Sequence, residues 1–212
     1  MKIALINENS QASKNNVIYE SLKEVASKYG HEVYNYGMYG KENESSLTYV
    51  QVGLLTAILL NSKAVDFVIT GCGTGEGAML ACNSFPNVLC GLVVDATDAY
   101  LFTQINNGNA ISIPYAKGFG WGSELTLKDI FNNLFKEEFG NGYPKERAIP
   151  EQTNKKILDE IKKITHTDIL TILKNIDKDF LRETISGENF EEYFFENCQN
   201  KEISEYLKDI LK

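Results

Sequence analysis

The segment that most constrains the fold is GCGTGEG, residues 71–77, which directly follows the apolar stretch VDFVIT at residues 65–70. Glycine lets the backbone turn sharply and lets a ligand approach its N–H groups, so four glycines at alternate positions indicate a binding loop rather than a plain turn. Residues 76–83 have helical spacing, and the N-terminus of a helix favours an anion. The segment therefore predicts a buried strand, a ligand-binding loop and a helix.

Strand and helix patterns alternate over the first 150 residues. We predict strands over residues 2–6, 31–36, 65–70, 87–94 and 109–113, separated by helices over residues 13–28, 45–61, 76–83, 95–104 and 124–139. Short apolar strands without polar alternation indicate a parallel sheet covered on both faces. The fold class is therefore α/β, a doubly wound, Rossmann-like sheet of five parallel strands. Ligands of such sheets bind at the carboxyl ends of the strands, where the loops after Ile6, Thr70, Val94 and Ile113 open.

The pattern changes beyond Pro150. Residues 155–164, 168–176 and 203–211 have helical spacing, and no strand is evident. The stretch EEYFFENC, residues 191–198, carries aromatic side chains that require burial. We predict two domains: a core over residues 1–150, and a helical extension over residues 151–212 that packs on the core or on a partner subunit.

Charge and cysteine content exclude several classes of function. The 21 basic and 29 acidic residues give a net charge of −8 without a basic cluster, which argues against a nucleic-acid partner. No apolar run approaches the ~20 residues of a membrane span, and a first strand at Lys2 leaves no room for a signal peptide, so we expect a cytoplasmic protein. The four cysteines form no C-x-x-C pair and the two histidines are far apart, so neither disulfides nor zinc is expected.

Two reactive side chains lie in the glycine loop. Cys72 adjoins an electropositive helix N-terminus, which favours a thiolate. Glu76 falls in the first helical turn and can serve as a general base. Each alone has an ordinary alternative, a buried core cysteine or a helix N-terminal charge. Their shared position makes both of them catalytic candidates.

Two further motifs carry polar groups. INNGN, residues 105–109, offers the amides of Asn106 and Asn109 to sugar hydroxyls, although an ordinary turn fits it equally well. GNGYPKER, residues 140–147, places Tyr143, Lys145 and Arg147 after a flexible turn. Arginine binds carboxylate or phosphate in a bidentate manner, and a solvated surface turn is the alternative here.

An alternative interpretation is a nicotinamide-dependent oxidoreductase. Gly73-x-Gly75-x-x-Ala78 matches the dinucleotide fingerprint, and Asp95 lies twenty residues after Gly75, near the expected ribose-binding acid. However, two predicted strands precede this loop, whereas the fingerprint usually belongs to the first βαβ unit. Gly77 is also a further glycine that the fingerprint does not need.

The order of several motifs resembles one enzyme family. KIALINE, GCGTGEGAMLACNSFPNV, VDATDAY, NNGN and KEEFGNGYPKER together resemble the ribose-5-phosphate isomerase B and galactose-6-phosphate isomerase family over residues 1–150. The resemblance implies an aldose–ketose isomerase that moves a proton through a cis-enediol between carbons 1 and 2. It also implies a small sugar substrate, a homodimer or homotetramer with sites shared between subunits, and no metal or organic cofactor.

The resemblance also assigns roles to residues. The base corresponds to Cys72 in many members and to Glu76 in others, and both are present here. The loop threonine corresponds to Thr74, and the asparagine that binds a substrate oxygen corresponds to Asn106. The expected substrate-binding set is Glu8, Asn9, Gly71, Gly73, Gly75, Gly77, Asn106, Asn109, Lys117, Tyr143 and Arg147.

The chain departs from the family pattern at the positions that open the sugar ring and bind phosphate. Glu8-Asn9 replaces Asp-His, and Ile105 replaces the ring-opening histidine. Of the phosphate-binding arginines, one is Lys117, one is Tyr143 and one remains as Arg147.

These departures favour an open-chain substrate with a carboxylate. With the tail included, the chain resembles a branch associated with uronate breakdown, whose substrate is the deoxyhexosulose uronate from glycosaminoglycan fragments. The alternatives are a sugar phosphate, either ribose 5-phosphate or galactose 6-phosphate, and a sugar-binding module without catalysis.

Overall fold

The computed structural model describes residues 1–42, 44 and 46–212. Within these residues the strands are β1 (Lys2–Asn7), β2 (Glu32–Asn35), β3 (Phe67–Cys72), β4 (Cys90–Leu92) and β5 (Ala110–Pro114). They form one five-stranded sheet in the order β2-β1-β3-β5-β4, and every pairing is parallel. The doubly wound parallel sheet predicted from the sequence is confirmed.

The helices of the first half are α1 (Asn15–Lys28), α2 (Tyr49–Asn61), α3 (Glu76–Asn83), α4 (Ala96–Leu101) and α5 (Ser123–Phe135). The bounds predicted for α3 are confirmed. Helix α2 begins later than predicted because Thr48 and Gln51 form a capping box at its N-terminus. Ser45, where the sequence predicted its start, lies outside the described residues.

Several predicted elements differ from the structure at their ends: β3 spans Phe67–Cys72 rather than 65–70, and α5 ends at Phe135 rather than at residue 139. Residues Asn9–Lys14 form a 3-10 turn before α1, and a π-helical turn, Phe102–Asn106, follows α4. The predicted strand over residues 87–94 is reduced to Cys90–Leu92. Asn87 adopts a positive φ of 57°, which extended backbone does not allow.

The tail is helical, as predicted, and contains α6 (Ala148–Thr165), α7 (Ile169–Asn175), α8 (Lys178–Thr184), α9 (Phe190–Asn197) and α10 (Lys201–Leu211). Helix α6 runs through Pro150, because proline is tolerated in the first turn, where its missing N–H has no partner. The aromatic cluster of α9 is buried as expected, with the Phe190 and Phe194 rings stacked 4.9 Å apart. The domain boundary at residue 150 stays a prediction.

Two apolar layers cover the sheet. Helices α1 and α5 pack on one face with the side chains of Ile3, Leu5 and Phe67. Helices α2 and α3 cover the other face, where buried residues of α7–α10 belong to the same cluster as Val52 and Ile58 of α2. Among the described residues, no helix combines the length and apolar composition required to cross a membrane.

The strand register decides which loops meet. Asn7 at the end of β1 pairs with Gly71 of β3, and Cys72 pairs with Pro114 of β5. The loops that follow these three strands therefore open side by side at the carboxyl edge of the sheet. The segment before β5, which contains Asn106 and Asn109, lies at the opposite, amino edge.

Candidate active site

The glycine loop begins inside β3 and is tied closely to β5. A Cβ at Gly71 would lie 2.2 Å from the Ile113 carbonyl oxygen, so only glycine lets the two strands approach. The N–H groups of Tyr115 and Ala116 donate to the carbonyls of Cys72 and Gly73, both at 3.0 Å. These bonds continue the β3–β5 pairing past the strand ends and fix the path of the loop.

Gly75 turns the loop into α3. It has a φ of +78°, and a Cβ there would lie 2.6 Å from Leu92 Cδ1. The Ser112 hydroxyl donates to the Gly75 carbonyl at 2.6 Å, and Thr74 Oγ1 accepts the Glu76 N–H at 3.3 Å. The first turn of α3 is thereby held against the end of β5 with its free N–H groups at the loop.

Cys72 lies beside that helix N-terminus. The residue is 8% exposed, and its Sγ is 3.8 Å from where a Cβ of Gly77 would stand in the first turn of α3. The ring of Tyr49, at the start of α2, is 3.4 Å from the same point. The positive end of α3 favours an anionic ligand group at this place.

Glu76 occupies a more open position. Its side chain is 58% exposed and lies 3.7 Å from the Lys117 ammonium, which is exposed to a similar degree. Ion pairs in such exposed positions contribute little because water screens them. Lys117 therefore lies with Cys72 and Glu76 at the carboxyl edge of the sheet, and we call these residues, together with the glycine loop, the carboxyl-edge group. The weak contact between Lys117 and Glu76 leaves both side chains free to reach a ligand.

Glu8 and Asn9 follow β1 at the same edge. Glu8 is nearly buried, and its Oε2 accepts a hydrogen bond of 2.6 Å from the Ser10 hydroxyl. Asn9 is exposed, and its amide donates to Ser46 Oγ at 2.9 Å. The structure thus brings Glu8, Asn9, the glycine loop and Lys117 together.

Sequence reasoning missed a second polar group at this edge. Gln11 is buried in the 3-10 turn, and its Nε2 is 3.7 Å from the position of a Cβ on Gly73. Lys14 hydrogen-bonds to Gln11, and burial lowers the pKa of its ammonium from the ordinary value. The available pattern was the polar run ENSQASK, residues 8–14, directly after a buried strand, of which the sequence analysis assigned only the last two residues, to the start of a helix.

The remaining predicted residues lie at the amino edge. Asn106 is exposed in the π-helical turn, and Tyr143 and Arg147 are exposed in the turn before α6. Backbone hydrogen bonds join the two segments: the N–H groups of Gly140 and Gly142 donate to the carbonyls of Thr103 and Gln104 in the π-helical turn, at 2.9 and 3.0 Å. Asn106, Tyr143 and Arg147 therefore form a second, solvent-facing group.

Asn109 is committed to the fold. Its Oδ1 accepts the Leu89 N–H at 2.8 Å, and its Nδ2 donates to the Asn87 carbonyl at 2.7 Å. Both ends of the amide thus hold the loop that enters β4. Its predicted contact with substrate stays a prediction, and we leave it out of the site proposed below.

The two groups are separated by the length of the sheet. Ala110 pairs with Val68 and Pro114 pairs with Cys72, so the two edges are four residue steps apart along β5. At ~3.3 Å per residue the separation is about 13 Å along the strand alone. One copy of the chain cannot bring Asn106 to the Cys72 thiol.

Two other polar residues have structural roles. Asp95 is the N-cap of α4, and its Oδ1 accepts the N–H groups of Thr97 and Asp98 at 2.8 and 2.9 Å. A cap so engaged does not favour the dinucleotide alternative. His31 stands edge-on to the Phe135 ring, with centroids 5.2 Å apart, just before the amino end of β2.

A buried thiol and two carboxylates around a glycine loop define an α/β enzyme of acid–base chemistry on a small ligand. A family model described as ribose/galactose isomerase matches residues 3–150, and one described as ribose-5-phosphate isomerase matches residues 164–210. The chain belongs to the ribose/galactose isomerase family, and it is an isomerase.

Solved structures agree with this family. A 4-deoxy-L-threo-5-hexosulose-uronate ketol-isomerase complexed with a tartrate is 69% identical with a TM-score of 0.98, covering 100% of this chain and 99% of that one. A ribose-5-phosphate isomerase from Vibrio parahaemolyticus is 50% identical with a TM-score of 0.96 over the same shares. Ribose-5-phosphate isomerase B from Clostridium thermocellum shares the fold, with 24% identity and a TM-score of 0.61, covering 78% of this chain and 99% of that chain.

Proposed function

We propose that this chain interconverts the aldose and ketose forms of an acidic, non-phosphorylated sugar, namely 4-deoxy-L-threo-5-hexosulose uronate. The observation that carries the substrate is the 69% identity, over the whole chain, to a ketol-isomerase of that uronate. The tartrate in that structure is itself a hydroxy-dicarboxylate. We expect the enzyme to act in the cytoplasm.

The arginine content supports a carboxylate substrate. The sequence has two arginines, and Arg182 is engaged on α8 with the Ile210 carbonyl at 3.0 Å and with Asp179 at 3.3 Å. Arg147 is thus the arginine that remains for substrate. A phosphate dianion attracts several charge-assisted contacts, whereas one bidentate guanidinium suits a single carboxylate.

Cys72 is the proposed base. Its thiolate takes the proton from the carbon beside the carbonyl, and the C–H electron pair moves so that the carbonyl oxygen becomes an enediolate oxygen. Return of that proton to the former carbonyl carbon, with a hydroxyl proton transferred between the oxygens, completes the isomerisation without net gain of electrons. Glu76, more exposed and beside Lys117, is the alternative base.

The loop supplies stabilisation for the enediolate. The free N–H groups at the start of α3 and the Thr74 hydroxyl lie next to Cys72, where negative charge develops. Such preorganised donors stabilise a transition state because they need no reorientation during the reaction. We expect Glu8 and Asn9, at the end of the neighbouring strand, to hold substrate hydroxyls.

The active site is proposed to form between two copies of the chain. The carboxyl-edge group of one copy would face Asn106, Tyr143 and Arg147 of another, since these groups are about 13 Å apart within one copy. A symmetric dimer would then carry two such sites.

Helix α6 supports an interface of this kind. None of its residues is buried by the described part of the chain. Its exposed apolar side chains at i, i+4 and i+7 spacing are Ile157, Ile161 and Ile164, together with Ile149 and Leu158. A stripe of this kind marks an interaction surface. A second set of exposed apolar side chains lies on α3, α5 and the loops of the carboxyl edge: Leu80, Val94, Trp121 and Leu125.

The substrate proposal is tested by a side-by-side assay. Specificity constants are measured for the hexosulose uronate, ribose 5-phosphate and galactose 6-phosphate with the same preparation. We expect a clear preference for the uronate. Ribose 5-phosphate is the second candidate, because a 50% identical relative bears that name. A preference for either phosphate would contradict the substrate while leaving the isomerase class intact.

A further inference from the structure

A chain of hydrogen bonds links an ammonium to the Glu8 carboxylate. Lys14 Nζ donates to Gln11 Oε1 at 2.7 Å, Gln11 Nε2 donates to Ser10 Oγ at 2.9 Å, and Ser10 Oγ donates to Glu8 Oε2 at 2.6 Å. The chain runs along the outside of the 3-10 turn that follows β1. Its middle member, Gln11, adjoins Gly73 of the glycine loop.

Lys14 fixes the direction of every proton in this chain. An ammonium can only donate, so the carbonyl end of the Gln11 amide must face it. The NH2 end then faces Ser10, whose oxygen accepts and whose own proton is left for Glu8. Without the cation the amide could turn over, and the Ser10 proton would then go to Gln11 instead of to the carboxylate.

Lys14 is itself held in place. Its ammonium also donates to the Tyr115 carbonyl, at the end of β5, and stands 4.6 Å from the centre of the Phe119 ring. Tyr115 is fully buried, and its N–H bonds to Cys72. The cation therefore connects the turn after β1 to the same strand end that supports the glycine loop.

We propose that Lys14 and Gln11 are positioning residues of this isomerase, which orient the Ser10 proton onto Glu8 Oε2 and so leave the second Glu8 oxygen free for a substrate hydroxyl. This inference rests on the proposed placement of Glu8 in the substrate site. It assigns a function to the polar run ENSQASK, which has no role in the glycine loop or in the group formed by Asn106, Tyr143 and Arg147.

Other charged or titratable groups lie at the same edge of the sheet as the Glu8 carboxylate and must be held constant in a test. Cys72 follows Gly71, the β3 residue that pairs with Asn7 at the end of β1. The Glu76–Lys117 pair lies across the glycine loop, and Glu44 accepts from the backbone N–H groups of residues 39–41. The variants below leave all of these residues unchanged.

The first measurement does not need enzyme activity. The Glu8 side-chain carbon is followed by NMR during a pH titration of protein labelled at glutamate, and its resonance is assigned with Glu8→Gln. We expect Lys14→Met to raise the Glu8 midpoint by about one pH unit, because a hydrogen bond to the ionised form is lost. Lys14→Arg, which can only donate, should keep the wild-type midpoint.

Two further variants complete the design. Ser10→Ala removes the last link and should give the same upward shift, so it replaces Lys14→Met if that protein fails to fold. Lys28→Met removes an exposed lysine of α1 that pairs only with Glu24 in the described structure, and it should change nothing at Glu8. An unchanged Glu8 midpoint in both Lys14→Met and Ser10→Ala would overturn the inference.

The second measurement is the pH profile of kcat/KM. Loss of the Glu8 proton donor should move the acid limb to higher pH by the same amount and lower the plateau by roughly tenfold. A purely structural role for Lys14 would lower the melting temperature without moving the acid limb, which would contradict the inference. If the wild-type enzyme does not act on the uronate, the substrate proposal fails, whereas the NMR titration still decides the role of Lys14.

Discussion

The two edges of the sheet differ in how completely one copy of the chain builds them. At the carboxyl edge, three adjacent strands hold the glycine loop, Cys72 is nearly buried, and backbone bonds to Tyr115 and Ala116 fix its surroundings. At the amino edge, Asn106, Tyr143 and Arg147 face solvent. On the proposed function, the contrast means that the reacting centre is preorganised within one copy, whereas Asn106, Tyr143 and Arg147 are left exposed for use by another copy.

The largest effect on activity is expected at the carboxyl edge, where Cys72 is nearly buried. Cys72→Ala should reduce kcat by ~10²–10⁴-fold, because it removes the proposed general base while leaving the loop backbone intact. Cys198→Ala, at a half-buried cysteine of the tail, is the matched control and should keep near wild-type activity. Steady-state kinetics of both, with Glu76→Gln alongside, also tells the two candidate bases apart. Full activity in Cys72→Ala together with loss in Glu76→Gln would move the base to Glu76.

A second large effect on activity is expected where two copies of the chain would meet. Ile161→Asp places a charge in the exposed apolar stripe of α6 and should dissociate the proposed oligomer. Activity should then fall by roughly a hundredfold, because Asn106, Tyr143 and Arg147 of the second copy are no longer at the site. Sedimentation velocity and a concentration series of activity measure this. Lys163→Asp changes an exposed residue of the same helix and should leave the assembly unchanged. A fully active monomer of Ile161→Asp would contradict the comparison.

The exposed residues at the amino edge should contribute to substrate binding more than to turnover. Arg147→Ala is expected to raise KM by roughly ten- to a hundredfold with a small change in kcat, since a charged hydrogen bond is worth ~1.5–3 kcal/mol. Lys145→Ala removes another exposed cation from the same turn and should have a minor effect. If Lys145→Ala raises KM as much as Arg147→Ala, general attraction of an anion explains the result and a specific contact does not.

The smallest expected effect is on folding free energy and concerns the backbone of the glycine loop at the carboxyl edge. Gly75 and Gly122 are both N-caps with positive φ, but only at Gly75 does a Cβ meet nearby atoms. Gly122→Ala should therefore cost about 1 kcal/mol of folding free energy, and Gly75→Ala roughly 1–3 kcal/mol more. Urea denaturation of the two variants measures this difference. Equal losses would mean that the loop tolerates displacement and is less rigid than the structure indicates.

The sequence predicted the carboxyl edge better than the amino edge, for physical reasons. Periodicity and glycine content locate β3, the loop and α3 because the determinants are local. The hydrogen-bonded chain from Lys14 to Glu8 was missed, since it depends on a 3-10 turn folding back against Gly73. Helix α6 was predicted too short because Pro150 was taken as a boundary, although it occupies the first turn.

The separation of the two groups could be read only from the register. The motif order places Asn106 before β5 and Cys72 at the end of β3, but the distance between them follows from the pairing of Ala110 with Val68. Asn109 resembles a substrate ligand in sequence, and only the structure shows that its amide holds the entry to β4.

The most direct test of the account is subunit complementation. Cys72→Ala is mixed with the double variant Asn106→Ala/Arg147→Ala under conditions in which subunit exchange is demonstrated by mass spectrometry. In a symmetric dimer with shared sites, each mixed dimer carries one site with both parts intact, so a 1:1 mixture assayed well below the wild-type KM should recover about a quarter of wild-type activity. Exchange without any recovered activity would show that each copy builds its own site, and would contradict the account.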